Sequence, residues 1–250
     1  MFLTRLVAGT LLITGASAMA AAQNCGSLPD YQKLKTALTQ VVKEGKEANG
    51  GLGNQEWAAI VDRDGVVCAV AFSGPERGAQ WPGSRLIAAE KANTANALSS
   101  NTMALSTANL YTAAQPGQSL FSLTTSAPPN PTVAFAGSPA NFGQQNDPMV
   151  GHSIGGIIVF GGGLALYNSK GQIVGGLGLS GDTSCADHVM AWKVRSTLHL
   201  DKVPYGVAPG QTDNMILDYQ NGQSPSGFGH PTCKGGVPSD EMIKKLSLHK

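Results

Sequence analysis

The chain is short of charge. Aspartate, glutamate, lysine and arginine make up 13% of its 250 residues, about half the share usual in soluble domains. The formal net charge is only +1. That excludes a disordered acidic or basic tail and a coiled coil. It also argues against nucleic acid as a partner, because phosphate recognition needs a concentrated cationic face. Aromatic residues are sparse at 6%. The apolar run at residues 6–14 is too short for the ~30 Å hydrocarbon layer of a bilayer, so no permanent membrane anchor is expected. No phosphate-binding loop, G-x-S-x-G elbow or H-E-x-x-H metal pair is read.

What is present is glycine, at 32 positions, with an apolar fraction of 42%. The glycines cluster, which excludes a collagen repeat, and the apolar share is ample for one buried core. Arg5, the short apolar run and the small residues ending at Ala20-Ala21-Ala22 read as a signal peptide over 1–22, cleaved before Gln23. Its removal takes away Arg5 and leaves equal numbers of acidic and basic residues. The expected location is secreted, periplasmic by preference. Four cysteines remain, Cys25, Cys68, Cys185 and Cys233. An even count in an exported chain suggests up to two disulfides, with three connectivities open. Cys185 with Cys233 would pin a Gly/Pro-rich tail to the body. No pair has the spacing of a zinc or covalent haem site.

Periodicity predicts a helix over residues 31–48, capped by Asp30 and ended by Gly50-Gly51. A hairpin follows, with strands at 57–61 and 66–72 around the turn Asp62-Arg63-Asp64-Gly65. A second, alanine-rich helix covers 84–98, with Glu90, Lys91, Asn93 and Asn96 on its more polar faces. Residues 124–153 hold five prolines and read as a long loop. Strands are expected at 157–160, 164–168 and 173–180. A third helix covers about 184–200, Ser184 and Asp187 standing at capping-box spacing. Residues 201–250 form a Pro/Gly-rich extension, packed on the same domain, with a short helix at 240–246. This order predicts an α+β fold, an antiparallel sheet with flanking helices.

Three stretches together resemble a known family. They are Ala59-Ile60-Val61-Asp62-Arg63-Asp64-Gly65, the helix Ala88-Ala89-Glu90-Lys91-Ala92-Asn93-Thr94-Ala95, and Gly161-Gly162-Gly163-Leu164 followed by Gly175-Gly176-Leu177-Gly178-Leu179-Ser180-Gly181. The family is the GlcG/HbpS-like haem-binding group, related to the C-terminal domain of PduO-type adenosyltransferases. The resemblance spans roughly residues 32–200 within a domain of 23–200. It implies a profilin-like or PAS-like sheet, a symmetric homo-oligomer, and non-covalent haem or a related tetrapyrrole as ligand. Ala165 departs from the family's G-G-G-L-P-L, as do the 124–153 insertion and the 201–250 extension.

A non-covalent haem needs an axial ligand beside an apolar slot. His188, Trp192, Arg195 and His199 lie on one face of the third helix. His188 is the expected iron ligand, Trp192 a stacking ring, and Arg195 a partner for a propionate. The competing reading makes this the polar face of an amphipathic helix. His152, at the end of the long loop, is a second candidate ligand or gate. Thr102 resembles the threonine after the second helix of haem-binding relatives, and would contact a propionate or the macrocycle edge. Asp182, Asp187, Glu90 and Lys91 could be imagined as acid–base groups, but no hydrolase is visible. The expectation is therefore an exported haem- or tetrapyrrole-binding protein. The alternatives are an extracytoplasmic enzyme, acting in haem degradation or an accessory catabolic reaction, and a small-molecule-sensing module.

Overall fold

The structure is a computed structural model that describes residues 25–237 and 239–247. The expected signal peptide over 1–22 lies outside the described residues. Four antiparallel strands form one sheet in the order β2-β1-β4-β3: β1 (Trp57–Asp62), β2 (Val67–Phe72), β3 (Gly163–Tyr167) and β4 (Ile173–Ser180). Four helices of more than one turn are described: α1 (Tyr31–Val42), α2 (Ser84–Ala97), α3 (Ser184–Thr197) and α4 (Asp240–Lys245). The α+β class expected from the element order is observed. In the first hairpin, Asp62 Oδ1 accepts from the amides of Asp64 at 2.9 Å and Val66 at 3.0 Å, and Gly65 takes φ +76°. An Asp-Gly turn allows that geometry because glycine reaches positive φ without steric cost.

Alternation along the strands feeds two cores. Ala58, Ile60, Leu177 and Leu179 face α1 and α3, meeting Leu34, Leu38, Met190 and Val194. Trp57, Ala59, Val61 and Val70 face α2 and meet Ala88, Ala89 and Ala92. The glycines of β3 and β4 explain how close α2 lies. A side chain at Gly176 would strike the Ala92 carbonyl, one at Gly178 the Ala88 carbonyl, and one at Gly163 the Lys91 carbonyl. Alanine on the helix and glycine on the sheet bring the two backbones into contact.

Several expectations need correction. The first helix stops at Val42; a separate turn, Lys46–Asn49, follows Gly45 at φ +75°. Residues 157–160 form no strand. Their backbone groups are met by side chains instead, the Ile158 amide donating to Thr94 Oγ1 and the Phe160 carbonyl accepting from Thr107 Oγ1. The third helix is capped by Thr183, one residue before the expected Ser184, and its Oγ1 accepts from Ala186 N at 3.3 Å. Glu90, Lys91 and Asn96, on the more polar faces of the second helix, are buried.

Two disulfides join Cys25 to Cys68 and Cys185 to Cys233. Both outer strands are covered. The end of the 124–153 loop pairs with β2, Val67 exchanging backbone hydrogen bonds with Gly151 and His152. Residues 200–205 run beside β3, where Tyr167 N donates to the Leu200 carbonyl at 2.8 Å. Covering an edge this way removes a template for unwanted strand pairing.

Candidate functional site

The structure brings His188, Trp192 and Arg195 together. The His188 and Trp192 ring centroids are 6.1 Å apart, and the Arg195 guanidinium carbon lies 4.7 Å from the Trp192 ring. This face is not solvated, contrary to the amphipathic reading. His188 is 0% exposed, and its Nε2 lies 3.2 Å from both Asn214 Oδ1 and the Met215 amide, which donates to it. Its Nδ1 has no partner. Burial pushes its pKa down to about 3, so the ring is neutral. Arg195 donates to Asp213 through both terminal nitrogens, at 2.6 and 2.8 Å, and to the Ala165 carbonyl at 3.1 Å. Trp192 Nε1 donates to the Ser247 carbonyl at 3.2 Å. The tail thus lies over His188, Trp192 and Arg195, and leaves His199 exposed at the end of α3.

The other two candidates are elsewhere. His152 is exposed, its backbone paired with β2, at the opposite edge of the sheet from β3. Thr102 is exposed in the turn after α2, its hydroxyl 3.0 Å from Ser100 Oγ. The sequence does contain G-x-S-x-G spacing, at Gly151-His152-Ser153-Ile154-Gly155. Ser153 sits on an exposed loop bridged to Val66, not on the strand-to-helix turn that a nucleophile elbow requires.

Sequence reasoning missed a buried polar cluster between α2 and α3. Lys91 Nζ donates to Asp187 Oδ2 at 2.6 Å and to the Leu179 carbonyl at 2.9 Å, and both side chains are nearly inaccessible. Asp187 Oδ1 also accepts from Asp182 N at 2.9 Å. Burial raises the Asp187 carboxyl, against the pull of Lys91. Glu56 is buried beside them, and neither of its oxygens lies in bonding geometry with a partner. Burial and the neighbouring Asp187 charge hold its carboxyl well above the usual carboxylate range, against the pull of Lys91. Lys91 and Asp187 are 96 residues apart, so spacing could not pair them. The available signal was a lysine set among alanines on a sheet-facing helix.

An open groove of about 650 Å³ lies between the segment before α1, α1 itself and the end of α3. Leu28, Pro29, Ala37, Leu198 and Leu200 supply apolar wall, with Lys33 and His199 at the rim. His199 has φ +56°. It occupies the left-handed position of a Schellman helix end, with His199 N donating to Ser196 O at 2.9 Å and Leu200 N to Arg195 O at 3.2 Å. Glycine is the usual residue there, and histidine costs roughly 1 kcal/mol by comparison.

Residues 30–195 match the family described as haem degrading protein HbpS-like. The chain belongs to that family. No curated protein matches it. Among solved structures, it is similar to a PduOC:heme complex, at 22% identity, 71% coverage of this chain, 97% of that one, and a TM-score of 0.48. It is also similar to protein ORFY of Klebsiella pneumoniae, at 22% identity, covering 78% of this chain and 97% of that one, TM-score 0.43. A double mutant of HbpS from Streptomyces reticuli follows at 18% identity, covering 78% of this chain and 98% of that one, TM-score 0.39.

Proposed function

We propose that this chain is an exported haem-binding protein. The observation that carries the reading is the family match over residues 30–195. The groove beside α1 and α3 fits a haem better than the His188 face does. It is open, its walls are largely apolar, and a cation stands at its rim. His199 would hold the iron, Leu28, Leu198 and Leu200 would cover the macrocycle, and Lys33 would meet a propionate. Bound haem would supply one-electron and oxygen chemistry at the iron. A left-handed histidine where glycine would be more stable supports a role for the ring itself.

The face expected from the sequence, with His188 as ligand, Trp192 and Arg195 beside it and His152 or Thr102 contributing, is the second reading. Its support is that burial keeps the His188 ring neutral, the form in which a freed Nε2 could ligate iron. It requires Asn214 and Met215 to move from the ring. Export is part of the proposal, supported by the two disulfides. Among the described residues, no helix is long and apolar enough to cross a membrane. The profilin-like or PAS-like kinship of the sheet and assembly into a homo-oligomer belong to the same reading. Light scattering checks the assembly, and N-terminal sequencing of the exported chain should begin near Gln23.

The deciding comparison is His199→Gly against His188→Ala in a haem titration followed at the Soret band. His199→Gly should lose the shift while raising stability by about 1 kcal/mol, since glycine relieves the left-handed strain. Loss of the shift in His188→Ala, with His199→Gly unaffected, moves the iron to the tail-covered face. Only the linear absorbance of free haem with the unaltered chain would overturn haem binding altogether.

A further inference from the structure

The two disulfides differ in their surroundings. Cys25 and Cys68 have Asp62 as their nearest potential ligand, a hard oxygen donor. Cys185 and Cys233 have a ring nitrogen of His230 instead, all three donor atoms lying within 4.8 Å of one another. Met215 adds a fourth donor, its Sδ 3.7 Å from Cys185 Sγ. In a four-coordinate site with metal–sulfur bonds of about 2.3 Å, two sulfur ligands stand about 3.8 Å apart. Met215 and Cys185 are already at that spacing.

His230 is also oriented as a ligand would be. Its Nδ1 lies 2.6 Å from the Pro231 carbonyl and donates to it, which leaves the Nε2 lone pair facing Ser184 Oγ at 2.9 Å. A backbone carbonyl fixing the second ring nitrogen is the usual support of a metal-bound histidine. Met215 and His230 are buried, at 4% and 3% exposure, whereas Cys233 is half-buried and open to a reductant. Two thiolates, a thioether and an imidazole form a soft donor set. Such sets favour Cu(I) over harder divalent ions.

We propose that Cys185, Cys233, His230 and Met215 form a Cu(I) site that the Cys185–Cys233 disulfide keeps closed. An external dithiol opens it. The dithiol gives two electrons and two protons to the disulfide and is itself oxidised to a disulfide, so one S–S bond breaks and another forms. Cu(I) then replaces the two thiol protons, which leave to solvent, and takes the His230 lone pair in place of the Ser184 hydroxyl. The copper does not change oxidation state. In the reverse direction an external disulfide accepts two electrons from the two thiolates and two protons from solvent, leaves as a dithiol, and the re-formed Cys185–Cys233 bond releases Cu(I). The tail would thus be held to α3 either by a covalent bond or by a metal.

The test is a Cu(I) titration of the full chain against a chromophoric chelator, without oxygen, before and after dithiol reduction and desalting. The Cys25→Ser/Cys68→Ser chain isolates the second pair. It should bind one Cu(I) when reduced and none when oxidised. Met215→Leu and His230→Ala should each weaken binding of the reduced four-cysteine chain at least tenfold, so the proposal does not depend on the cysteine variant folding. If reduction loosens the tail, Cu(I) should restore the circular dichroism of the oxidised protein. Affinity in both single variants equal to that of the unaltered reduced chain overturns the site, as does no uptake by the reduced chain or no recovery of a spectrum that reduction has changed.

Discussion

The 124–153 loop and the 201–247 tail are attached to the body by the same device at opposite edges of the sheet. Each is gripped by a buried arginine from a helix. Arg85, at the start of α2, pairs with Asp147 of the loop, donates to the Ala134 carbonyl at 2.7 Å, and lies 3.7 Å from the Phe142 ring centroid. Arg195, near the end of α3, pairs with Asp213 of the tail. Asp147 does more locally, because it also accepts from the amides of Gly143 at 2.6 Å and Met149 at 2.9 Å. The tail has a second fastening in Cys185–Cys233, whereas the loop contains no cysteine. The difference teaches how Pro/Gly-rich segments stay ordered without much apolar burial. One carboxylate serves the loop by organising its turns, and the tail relies on a covalent bond as well.

The largest effect should come from breaking the ion pairs. Asp147→Ala and Asp213→Ala each leave a buried guanidinium without its counter-charge, a loss of about 3–5 kcal/mol by chemical denaturation. Their local consequences should differ. Asp147→Ala should expose the loop to limited proteolysis, whereas Asp213→Ala should leave the tail resistant until the disulfide is reduced. Equal protection of both segments would show that the pairs do not organise them. Next comes the disulfide. Replacing Cys185 and Cys233 by alanine opens a loop spanning a 48-residue separation, and should cost about 2–4 kcal/mol. The same replacement of Cys25 and Cys68 should leave tail proteolysis unchanged.

Whether a feature is legible in the sequence depends on whether it is local. Strand β4 is legible at its observed bounds, Ile173–Ser180, because alternation and a flanking turn mark it. The Asp30 cap is legible for the same reason, its side chain accepting from Lys33 N at 2.9 Å. The shared face of His188, Trp192 and Arg195 follows from helical spacing. What covers that face does not, since nothing in a Pro/Gly-rich tail says that Asp213 and Met215 return to α3. Lys91 misleads because charge on a helix ordinarily means a solvated face, and only the glycines opposite it show that α2 is buried. Gly176-Leu177-Gly178-Leu179-Ser180-Gly181 even has dinucleotide-loop spacing, but Gly176 and Gly178 lie inside β4 under α2. His199 is not set apart by the sequence: helical spacing carries the third helix to about residue 200, and only the observed end at Thr197 shows a histidine at φ +56° where glycine is usual.

The smallest predicted effect distinguishes the two edges by the sign of their response to acid. The segment just after the loop and the tail lie against opposite kinds of buried titratable group. A side chain on Gly156, three residues past the loop, would strike the Glu90 carboxyl, and burial pushes its pKa up to about 7 from an ordinary 4.5. On the tail side, burial pushes His188 down to about 3 and His230 to about 4, from 6.5. A group raised on folding contributes stability that is complete below its unfolded pKa and is lost as pH rises through the folded one. Glu90 therefore strengthens the fold as pH falls from about 7 toward 4.5. A group depressed on folding contributes stability that is complete above its unfolded pKa and is lost on acidification. His188 and His230 therefore weaken the fold below pH 6.5. Between pH 7.5 and 5.5 the unaltered chain should gain on Glu90→Gln and lose ground to His188→Gln, each by on the order of 1–2 kcal/mol. Thermal melts of the three chains at both pH values read this directly. If the stability differences of the two variants from the unaltered chain shift with pH in the same direction, either Glu90 is not buried as a neutral acid or His188 is not buried as a neutral ring.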